Sequence, residues 1–285
     1  MWIADKWKDY ILISGSAGEK LEKWGKYTYL RPDPQIIWQI DDFCKNADAN
    51  YVRNGGGGYW NFNDLSSECE QNISYGDMKF FIKPMGFKHM GLFPEQAVNW
   101  DFMRQKIKNS NREIRVLNLF AYTGGATVAC LKAGAHVCHV DASKGMIAHA
   151  KRNVELNSLS GEKVRYIVDD CLKFVNREAR RNKKYDAIVM DPPSYGRGPN
   201  GEKWEVDVLL NKLVSSCIDV LSDKPLFFVV NTYSTGIASS AVSNLLKISL
   251  IRRFGGKVSA DEIGLPFLNA EIALPAGCTA RWESL

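Results

Sequence analysis

The sequence predicts an α/β fold whose main domain contains a mostly parallel, doubly wound β-sheet, with a smaller β-rich region before it. From about residue 99 onward, short apolar segments alternate with amphipathic helical segments. Before that point, short apolar stretches alternate with turn residues instead. Alternation of the first kind is typical of βαβ units. We therefore place a β-rich region over 1–98 and an α/β domain over 99–285.

In the N-terminal region, apolar or aromatic runs flanked by glycine or other turn residues predict short strands. These are Tyr10–Gly15, Tyr27–Pro32, Gly58–Phe62 and Met78–Lys83. We interpret the glycine run at 55–58 as a loop, because neither a Lys-Ser/Thr pair nor a helix signal follows it.

The α/β domain contains five predicted strands separated by helical segments. The strands are Glu113–Leu119, His136–Val140, Val164–Val168, Tyr185–Met190 and Leu226–Val230. One helix is predicted from Gly125 to Ala133, ended by Gly134, and a second from Lys144 to Asn157, entered through Ser143. Further helices are centred near residues 176, 212 and 242.

The composition is that of an ordinary globular protein, with 45% hydrophobic and 24% charged residues. The longest apolar runs, such as 225–230, are too short to cross a bilayer. The N-terminus has no signal-peptide pattern. We expect a cytoplasmic protein without a membrane partner; the oligomeric state is not indicated.

The seven cysteines include no CxxC pair, and the four histidines show no HxxxH spacing. A disulfide framework and a metal site are therefore not expected.

Charge is distributed unevenly along the chain. Residues 1–98 hold 11 basic and 13 acidic side chains, whereas residues 99–285 hold 26 and 19. The basic residues of the second part form three groups: Arg104, Lys106, Lys108, Arg112 and Arg115; Lys173, Arg177, Arg180, Arg181, Lys183 and Lys184; and Lys247, Arg252, Arg253 and Lys257. They are either solvated helix faces or a surface for a nucleic-acid backbone.

The first strand of the α/β domain leads into a glycine-containing turn, Asn118–Ala126. Paired glycines at a strand-to-helix turn allow a ligand to approach the backbone closely. The turn lacks the GxGxxG pattern of dinucleotide sites, in which a pyrophosphate lies at a helix N-terminus. This favours a cofactor without phosphate, such as S-adenosylmethionine (SAM).

Acidic residues follow the next strands, where ligands of open α/β sheets bind. Asp141 ends the second strand, where a carboxylate can accept hydrogen bonds from both ribose hydroxyls. Asp170 follows the third strand, where a carboxylate can bind the adenine amino group. From the same strand ends we take Asn118, Ala142 and Cys171 as further candidate cofactor-binding residues.

The fourth strand is followed by Asp191-Pro-Pro-Ser-Tyr195. Proline fixes φ and lacks an N–H, so the strand must stop there. A stiff turn of this kind can hold Asp191 and a carbonyl against a planar amine, and Tyr195 offers a ring for stacking. We take Asp191, Pro192, Pro193 and Tyr195 as candidate catalytic residues, and Asp191 also as a candidate cofactor contact.

From about residue 84 to residue 285, the chain resembles the class I SAM-dependent methyltransferase family that includes the bacterial 23S ribosomal RNA cytosine-C5 and guanine-N7 enzymes. The resemblance lies in the stretches Gly91–Gln96, Val116–Gly125, Val140–Ser143, Ala150–Asn157, Asp169–Asp170 and Asp191–Ser194. It implies a Rossmann-like sheet, SAM as the cofactor, and RNA, specifically ribosomal RNA, as the substrate.

The resemblance also implies roles for individual residues. Tyr122, Thr123, Gly124 and Gly125 would line the amino-acid moiety of SAM, and Gln96 would lie near the mouth of the cofactor site. Asp141 would bind ribose, Asp170 adenine, and Asp191 to Tyr195 would face the methyl acceptor.

One stretch departs from the family pattern. Members that methylate cytosine C5 carry a nucleophilic cysteine after the fifth strand, where this chain reads Asn231-Thr-Tyr-Ser-Thr-Gly236. Cys278 lies in a segment, 275–278, that we interpret as a turn. We therefore expect methyl transfer to a nitrogen of RNA without a cysteine nucleophile. Two alternatives stay open: an acceptor that is a protein or small molecule, and a SAM- or RNA-binding protein without turnover.

Overall fold

The computed structural model describes residues 1–63, 69–159, 161–233, 236–268 and 270–285. Its chain divides into two compact units. Unit 1 comprises Met1–Ala97 and Gly264–Ala276, and unit 2 comprises Val98–Ile263 and Gly277–Leu285. The domain boundary drawn from the sequence near residue 99 stays a prediction.

Unit 1 is built mainly from short strands. They are β1 (Trp2–Ile3), β2 (Tyr10–Ser16), β3 (Glu19–Trp24), β4 (Tyr27–Pro32), β5 (Ala49–Asn54), β6 (Gly57–Phe62), β7 (Gln71–Tyr75) and β8 (Met78–Ile82). Strands β2 to β6 form a five-stranded sheet in chain order, and β7 pairs with β8. The four strands predicted for this region are all present. The predicted loop at 55–58 is wrong in part, because Gly57 and Gly58 belong to β6 and only Gly55 and Gly56 form the turn.

A buried ionic cluster lies within unit 1. The side chain of Glu22 is fully buried and pairs with Arg31 at 2.6 Å, while Tyr10 donates a hydrogen bond to it at 2.7 Å. Burial by itself raises the pKa of Glu22, but the charges of Arg31 and Lys20 outweigh that effect and lower it to about 2.

Unit 2 alternates strands and helices. In chain order the α-helices and strands from residue 97 onward are α1 (Ala97–Asn109), β9 (Arg115–Leu119), α2 (Gly125–Lys132), β10 (His136–Asp141), α3 (Lys144–Leu156), β11 (Val164–Val168), α4 (Cys171–Arg180), β12 (Ala187–Met190), β13 (Tyr195–Arg197), β14 (Lys203–Glu205), α5 (Val206–Ile218), β15 (Phe227–Thr232), α6 (Ser239–Leu246), α7 (Arg252–Phe254), β16 (Lys257–Pro266) and β17 (Ala273–Glu283). The C-terminal end of β16 and the N-terminal end of β17 belong to unit 1.

Seven of these strands are neighbours in one large sheet, in the order β16-β17-β15-β12-β9-β10-β11, and β13 pairs with β14 in a separate two-stranded sheet. The five strands from β15 to β11 are parallel, and β17 runs antiparallel to β15. The predicted α/β class, with a mostly parallel sheet and a β-rich N-terminal sheet, is confirmed. All residues of β12 and β15 are buried, as expected for central parallel strands covered on both faces.

Helices α4 and α5 supply apolar side chains to the largest core cluster of unit 2. Phe174, Leu213 and Val214 pack there with Ile188 and Phe228 of the central strands. Helices α2 and α3 pack against β9, β10 and β11. Fixed between helices in this way, the strands hold their carboxyl ends side by side. Among the described residues, no helix is long and apolar enough to span a membrane.

Candidate active site

The carboxyl ends of β9, β10, β11, β12 and β15 meet at one edge of the sheet. Leu119 is opposite both Val140 and Met190 in the strand register, Asp141 is opposite Val168, and Met190 is opposite Val230. The segments that follow these strands are therefore neighbours, and they contain most of the predicted site residues.

The glycine-containing turn after β9 has a strained backbone. Phe120 and Tyr122 adopt positive φ angles of 53° and 51°, and Gly124 has a φ of 87°. Such conformations are unfavourable for bulky residues and persist only where surrounding contacts impose them. Here the Phe120 N–H donates to Cys171 Sγ at 3.3 Å, and Asn153 Nδ2 donates to the Thr123 carbonyl at 2.8 Å. The turn is thus held in one conformation.

Close packing, in addition to the positive φ, favours glycine at position 124. A Cβ placed there would lie 3.1 Å from Ala150 Cβ on α3. The start of α2 therefore approaches α3 more closely than a side chain at position 124 would allow.

Asp141 connects the turn after β9 with the turn after β10. Its Oδ2 accepts a hydrogen bond from the Tyr122 N–H and its Oδ1 one from the Ser143 N–H, both at 2.8 Å. Burial raises the pKa of Asp141, and the two backbone donors oppose that rise. A carboxylate has about four acceptor positions, so a vicinal diol can bind in addition to the two N–H groups. Ala142, between these contacts, is half-buried.

The segment after β11 is also built from local hydrogen bonds. The Asp169 N–H donates to the Asp141 carbonyl at 3.1 Å, and the Asp169 carboxylate forms an ion pair with Arg177. Asp170 caps α4, because its Oδ1 accepts from the Lys173 N–H at 2.8 Å. The adjacent Cys171 thiol is buried, which raises its pKa well above the usual value.

A buried polar network lies beneath the glycine-containing turn. Asn118 Nδ2 donates to Thr127 Oγ1 at 2.9 Å, and Thr127 Oγ1 also bonds His139 Nδ1 at 2.9 Å. All three side chains are at most 3% exposed. Burial lowers the pKa of His139 to about 3, so its ring is neutral. The structure therefore places Asn118, a predicted cofactor contact, in a hydrogen bond that supports α2.

The Asp191–Tyr195 segment follows β12 and packs against the turn after β9. Pro193 O accepts a hydrogen bond from Trp204 Nε1 at 2.7 Å, and the Trp204 ring lies 4.7 Å from that of Phe120. Pro192 is buried and Pro193 exposed. This anchoring fixes the segment beside the glycine-containing turn.

Asp191 and Tyr195 present different chemistry at this edge. Asp191 is half-buried, and its burial raises the pKa of the carboxyl group to about 7. Tyr195 opens the β13–β14 hairpin, and its side chain is 51% exposed. The pair combines a carboxyl group that titrates near neutrality with an accessible aromatic ring.

The end of β15 borders the same segment. Ser194 Oγ donates a hydrogen bond to the Tyr233 carbonyl at 3.3 Å. Cys278 pairs with Thr232 across β15 and β17, and the two side chains are 2.9 Å apart at Sγ and Oγ1. The interpretation of Cys278 as part of a turn was therefore wrong: it lies in a strand, because β17 continues past Gly277. Residues 234 and 235 of the predicted loop lie outside the described residues.

Burial disfavours the thiolate form of the five cysteines of unit 2. Cys130, Cys138, Cys171, Cys217 and Cys278 are all buried, and burial raises the pKa of each thiol. Among the described residues, no cluster of three or more His, Cys, Asp or Glu is arranged to hold a metal ion.

Gln96 belongs to unit 1, at the end of a short 3-10 helix, Pro94–Gln96, and is half-buried. Its contact with the cofactor stays a prediction.

Many side chains of the three basic groups form ion pairs within unit 2. The pairs are Lys106–Glu283, Arg112–Asp186, Lys173–Glu202, Arg177–Asp169, Arg181–Glu178 and Lys257–Glu283. Arg115 begins β9 and so lies at the opposite edge of the sheet from the predicted site. Two other basic residues, Arg197 and Lys203, are exposed on the hairpin that begins at Tyr195.

Three residues that support the site, Thr127, His139 and Asn153, were not predicted from the sequence. Asn153 was part of a stretch that carried the family resemblance, so that stretch was the available signal. For Thr127 and His139 the sequence offered no signal, because these two residues are 12 positions apart and lie in different elements, a helix and a strand.

Comparisons with known proteins agree with this geometry. A family model described as S-adenosylmethionine-dependent methyltransferase matches residues 73–216. The ribosomal RNA large subunit methyltransferase I of Enterobacter sp. (strain 638) is 38% identical over 119 residues, which are 41% of this chain and 29% of that protein. The ribosomal RNA large subunit methyltransferase K/L of Shewanella frigidimarina is 36% identical over 146 residues, which are 50% of this chain and 20% of that protein. The chain thus matches less than a third of the length of these relatives.

Solved structures match over a larger share. The SAM-dependent methyltransferase from Agrobacterium tumefaciens has a TM-score of 0.94 and 34% identity, covering 100% of this chain and 93% of that one. The structure of SMU.776 complexed with SAH has a TM-score of 0.69 at 20% identity, covering 97% of this chain and 76% of that one. The second likeness concerns the fold alone.

The network under the turn leads to a stability prediction. Thr127→Val removes the hydroxyl between Asn118 and His139, so two buried polar groups lose a partner and unfolding becomes easier by about 1–3 kcal/mol. Asn118→Leu removes the same contact from the other side. In a double-mutant cycle measured by urea unfolding, we expect the two substitutions to be non-additive by at least about 0.5 kcal/mol.

The control is Thr279→Val, which removes a buried hydroxyl on β17, three strands away from Asn118. Its effect combined with Asn118→Leu should be additive within about 0.5 kcal/mol. Additivity of Asn118→Leu with Thr127→Val would show that the network is not an energetic unit.

Proposed function

Because this chain belongs to the S-adenosylmethionine-dependent methyltransferase family, we propose that it methylates a nitrogen of a ribosomal RNA base. The observation that carries the proposal is that one segment, beside the strained turn after β9, contains both the half-buried Asp191 and the exposed Tyr195. Its two relatives described above are named as ribosomal RNA large subunit methyltransferases, which supports the RNA acceptor. The cytoplasm, where ribosomal RNA is modified in bacteria, is the proposed location.

The residues at the sheet edge suit the chemistry of SAM. Asp141 offers acceptor positions for the ribose hydroxyls, and the backbone of Tyr122, Thr123, Gly124 and Gly125 borders the place of the amino-acid moiety. Asp170 lies after β11, where the adenine is expected, with Cys171 and Ala142 nearby in the chain. When bound, SAM supplies an electrophilic methyl group attached to a sulfonium. Transfer of the methyl group leaves a neutral sulfide.

Asp191 and the Pro192–Pro193 segment are proposed to orient the acceptor. In-line transfer to a nitrogen requires mainly that its lone pair be aimed at the methyl carbon. An ionised Asp191 accepts a hydrogen bond from the amino group and takes its proton after transfer. Tyr195 stacks against the base. A base within a helix must first be extruded to reach this position.

Exposed basic residues beside Tyr195 favour a polyanionic acceptor over a neutral small molecule. Arg197 and Lys203 face each other on the β13–β14 hairpin, and Lys203 Nζ lies 5.9 Å from the centre of the Tyr195 ring. Lys203 also pairs with Glu205 of the same hairpin at 2.5 Å. Basic side chains at this place attract a phosphate backbone by releasing its counterions.

The proposal is tested by comparing the modified nucleosides of ribosomal RNA from a deletion strain and its parent. One methylated nucleoside should be missing in the deletion strain and restored by the wild-type chain but not by Asp191→Ala. Identical nucleoside profiles, together with no methyl transfer to that RNA by the purified chain, would reject the RNA acceptor.

Loss of the Asp141 carboxylate should weaken cofactor binding. Asp141→Ala removes the proposed ribose contact and the acceptor of the Tyr122 N–H. The free energy of SAM binding should therefore become less favourable by about 1.5–3 kcal/mol, which lowers the affinity about 10- to 150-fold. Calorimetry with SAM and with S-adenosylhomocysteine measures this, and NAD should not bind. Asp223→Ala, at an exposed acid of the same unit, is the matched control. Unchanged affinity in Asp141→Ala would overturn the assignment.

Asp191 should give the reaction a pH dependence. Its pKa is raised to about 7, so the carboxyl group is protonated below that pH and ionised above it. Single-turnover methyl transfer should therefore rise as pH increases through about 7 and level off above it. In Asp191→Asn the rate should no longer rise with pH and should be at least about 100-fold lower than in the wild type. Its affinity for SAM should stay within about twofold. Equal losses in SAM binding and rate would place Asp191 in the cofactor pocket.

Transfer should proceed without a covalent enzyme intermediate. Methylation at C5 of a pyrimidine requires a thiolate to add at C6, and the cysteines of unit 2 are buried with raised pKa values. Incubation with SAM and RNA that contains 5-fluorocytidine should give no stable adduct on a denaturing gel. An adduct that disappears in one cysteine variant would place that cysteine in the active site.

A further inference from the structure

We propose that Tyr233 forms a second aromatic wall of the acceptor site, opposite Tyr195, so that the acceptor is a flat heteroaromatic base held between two rings. The inference rests on the proposed function, because it concerns the acceptor of the same reaction. It adds a specificity-determining residue that neither the Asp191–Tyr195 segment nor the cofactor turn contains.

The position of Tyr233 in the chain is the first argument. β15 is parallel to β12, with Met190 opposite Val230, so the residues after the two strands advance along the same edge. Tyr233 is the first residue after β15, and Tyr195 is the fifth after β12. The two tyrosines therefore extend from adjacent segments at the carboxyl edge of the sheet.

Burial changes abruptly at the end of β15. All six residues of the strand are buried, whereas the Tyr233 side chain is 40% exposed. Tyr195 shows the same change, because Met190 is fully buried and Tyr195 is 51% exposed. Large aromatic side chains that emerge together from a buried sheet at its ligand-binding edge are suited to stacking on a base.

The backbone of Tyr233 is contacted on two sides. Its carbonyl accepts the hydrogen bond from Ser194 Oγ, the residue that precedes Tyr195. On the other side, a Cβ at Gly277 would lie 2.7 Å from Thr232 O and 3.2 Å from Tyr233 Cα. Gly277 has a φ of 102°, so β17 approaches this backbone as only glycine permits. With its backbone held, the side chain has only its χ1 and χ2 rotations left to lose when a base stacks on the ring.

The chemistry of the site selects the acceptor class. A nucleobase is planar and can stack with both faces between two tyrosine rings, whereas an aliphatic amine such as a lysine side chain offers no flat face and could bind there only as a cation. Asp191 then accepts a hydrogen bond from an amino or ring N–H at the edge of that base. Arg197 and Lys203, on the hairpin that begins at Tyr195, favour an acceptor that carries phosphates.

The test is methyl transfer to ribosomal RNA from the deletion strain, with four variants: Tyr233→Phe, Tyr233→Leu, Tyr195→Phe and Tyr195→Leu. Each phenylalanine variant keeps the ring and should retain kcat/KM for RNA within about twofold. Each leucine variant loses the stacking surface, and its kcat/KM for RNA should fall by about 5- to 150-fold. The affinity for SAM should stay within about twofold in all four.

Tyr59→Leu is the matched control, because Tyr59 is a 56% exposed tyrosine on β6 in unit 1. It should leave kcat/KM for RNA unchanged. Melting temperatures without ligand identify any variant whose loss arises from unfolding, and activity of such a variant is then compared at a temperature where it is fully folded.

The outcomes separate this inference from the proposed function. If the wild-type chain methylates RNA and Tyr233→Leu is as active as wild type, the second wall is wrong while the function stands. If Tyr233→Phe loses as much as Tyr233→Leu, the hydroxyl and not the ring is required, and stacking is overturned. If the wild-type chain methylates no RNA, the proposed function fails and this inference fails with it.

Discussion

The carboxylate of Asp141 is the contact on which the arrangement of the site depends. It receives the backbone N–H groups of Tyr122 and Ser143, so one side chain sets the position of the turns after β9 and β10 together. The carbonyl of the same residue accepts from the Asp169 N–H, which brings in the segment after β11. Three of the segments that face the proposed cofactor are therefore aligned by one residue at the end of one strand.

Strain in the turn after β9 requires support from below. Phe120 and Tyr122 have left-handed backbone conformations that the Cys171 thiol and the Asp141 carboxylate stabilise. Beneath them, the hydrogen bonds from Asn118 to Thr127 and from Thr127 to His139 join β9, α2 and β10. A site whose supporting side chains are buried and hydrogen-bonded keeps its geometry before the ligand arrives, which reduces the entropy lost on binding.

The distribution of charge is more informative in the structure than in the sequence. Summed over the chain, the excess of basic residues is five. Several members of the three basic groups neutralise acids of the same unit, and Arg115 lies at the edge of the sheet away from the site. Arg197 and Lys203, which the sequence groups omitted, lie on the hairpin next to Tyr195, where Lys203 also pairs with Glu205. The surface proposed to contact a polyanion is therefore smaller and closer to the proposed acceptor position than the three sequence groups indicated.

The sequence alone determined the features that depend on local order along the chain. Apolar patterning predicted strands β9, β10, β11, β12 and β15 and helices α2 and α3 to within about two residues, because each pattern reports which side of a segment is buried. The positions of Asp141, Asp170 and Asp191 followed as well, since the carboxyl ends of parallel strands meet at one edge. Only the tertiary structure decided which groups these side chains contact. Asp170 caps α4, Asn118 supports α2, Cys278 lies within β17 beside Thr232, and Tyr233 is held against Ser194. Each of these contacts except the cap joins segments separated along the chain by 9 to 46 residues, so it depends on how the strands and helices pack and not on the spacing of residues within any one of them.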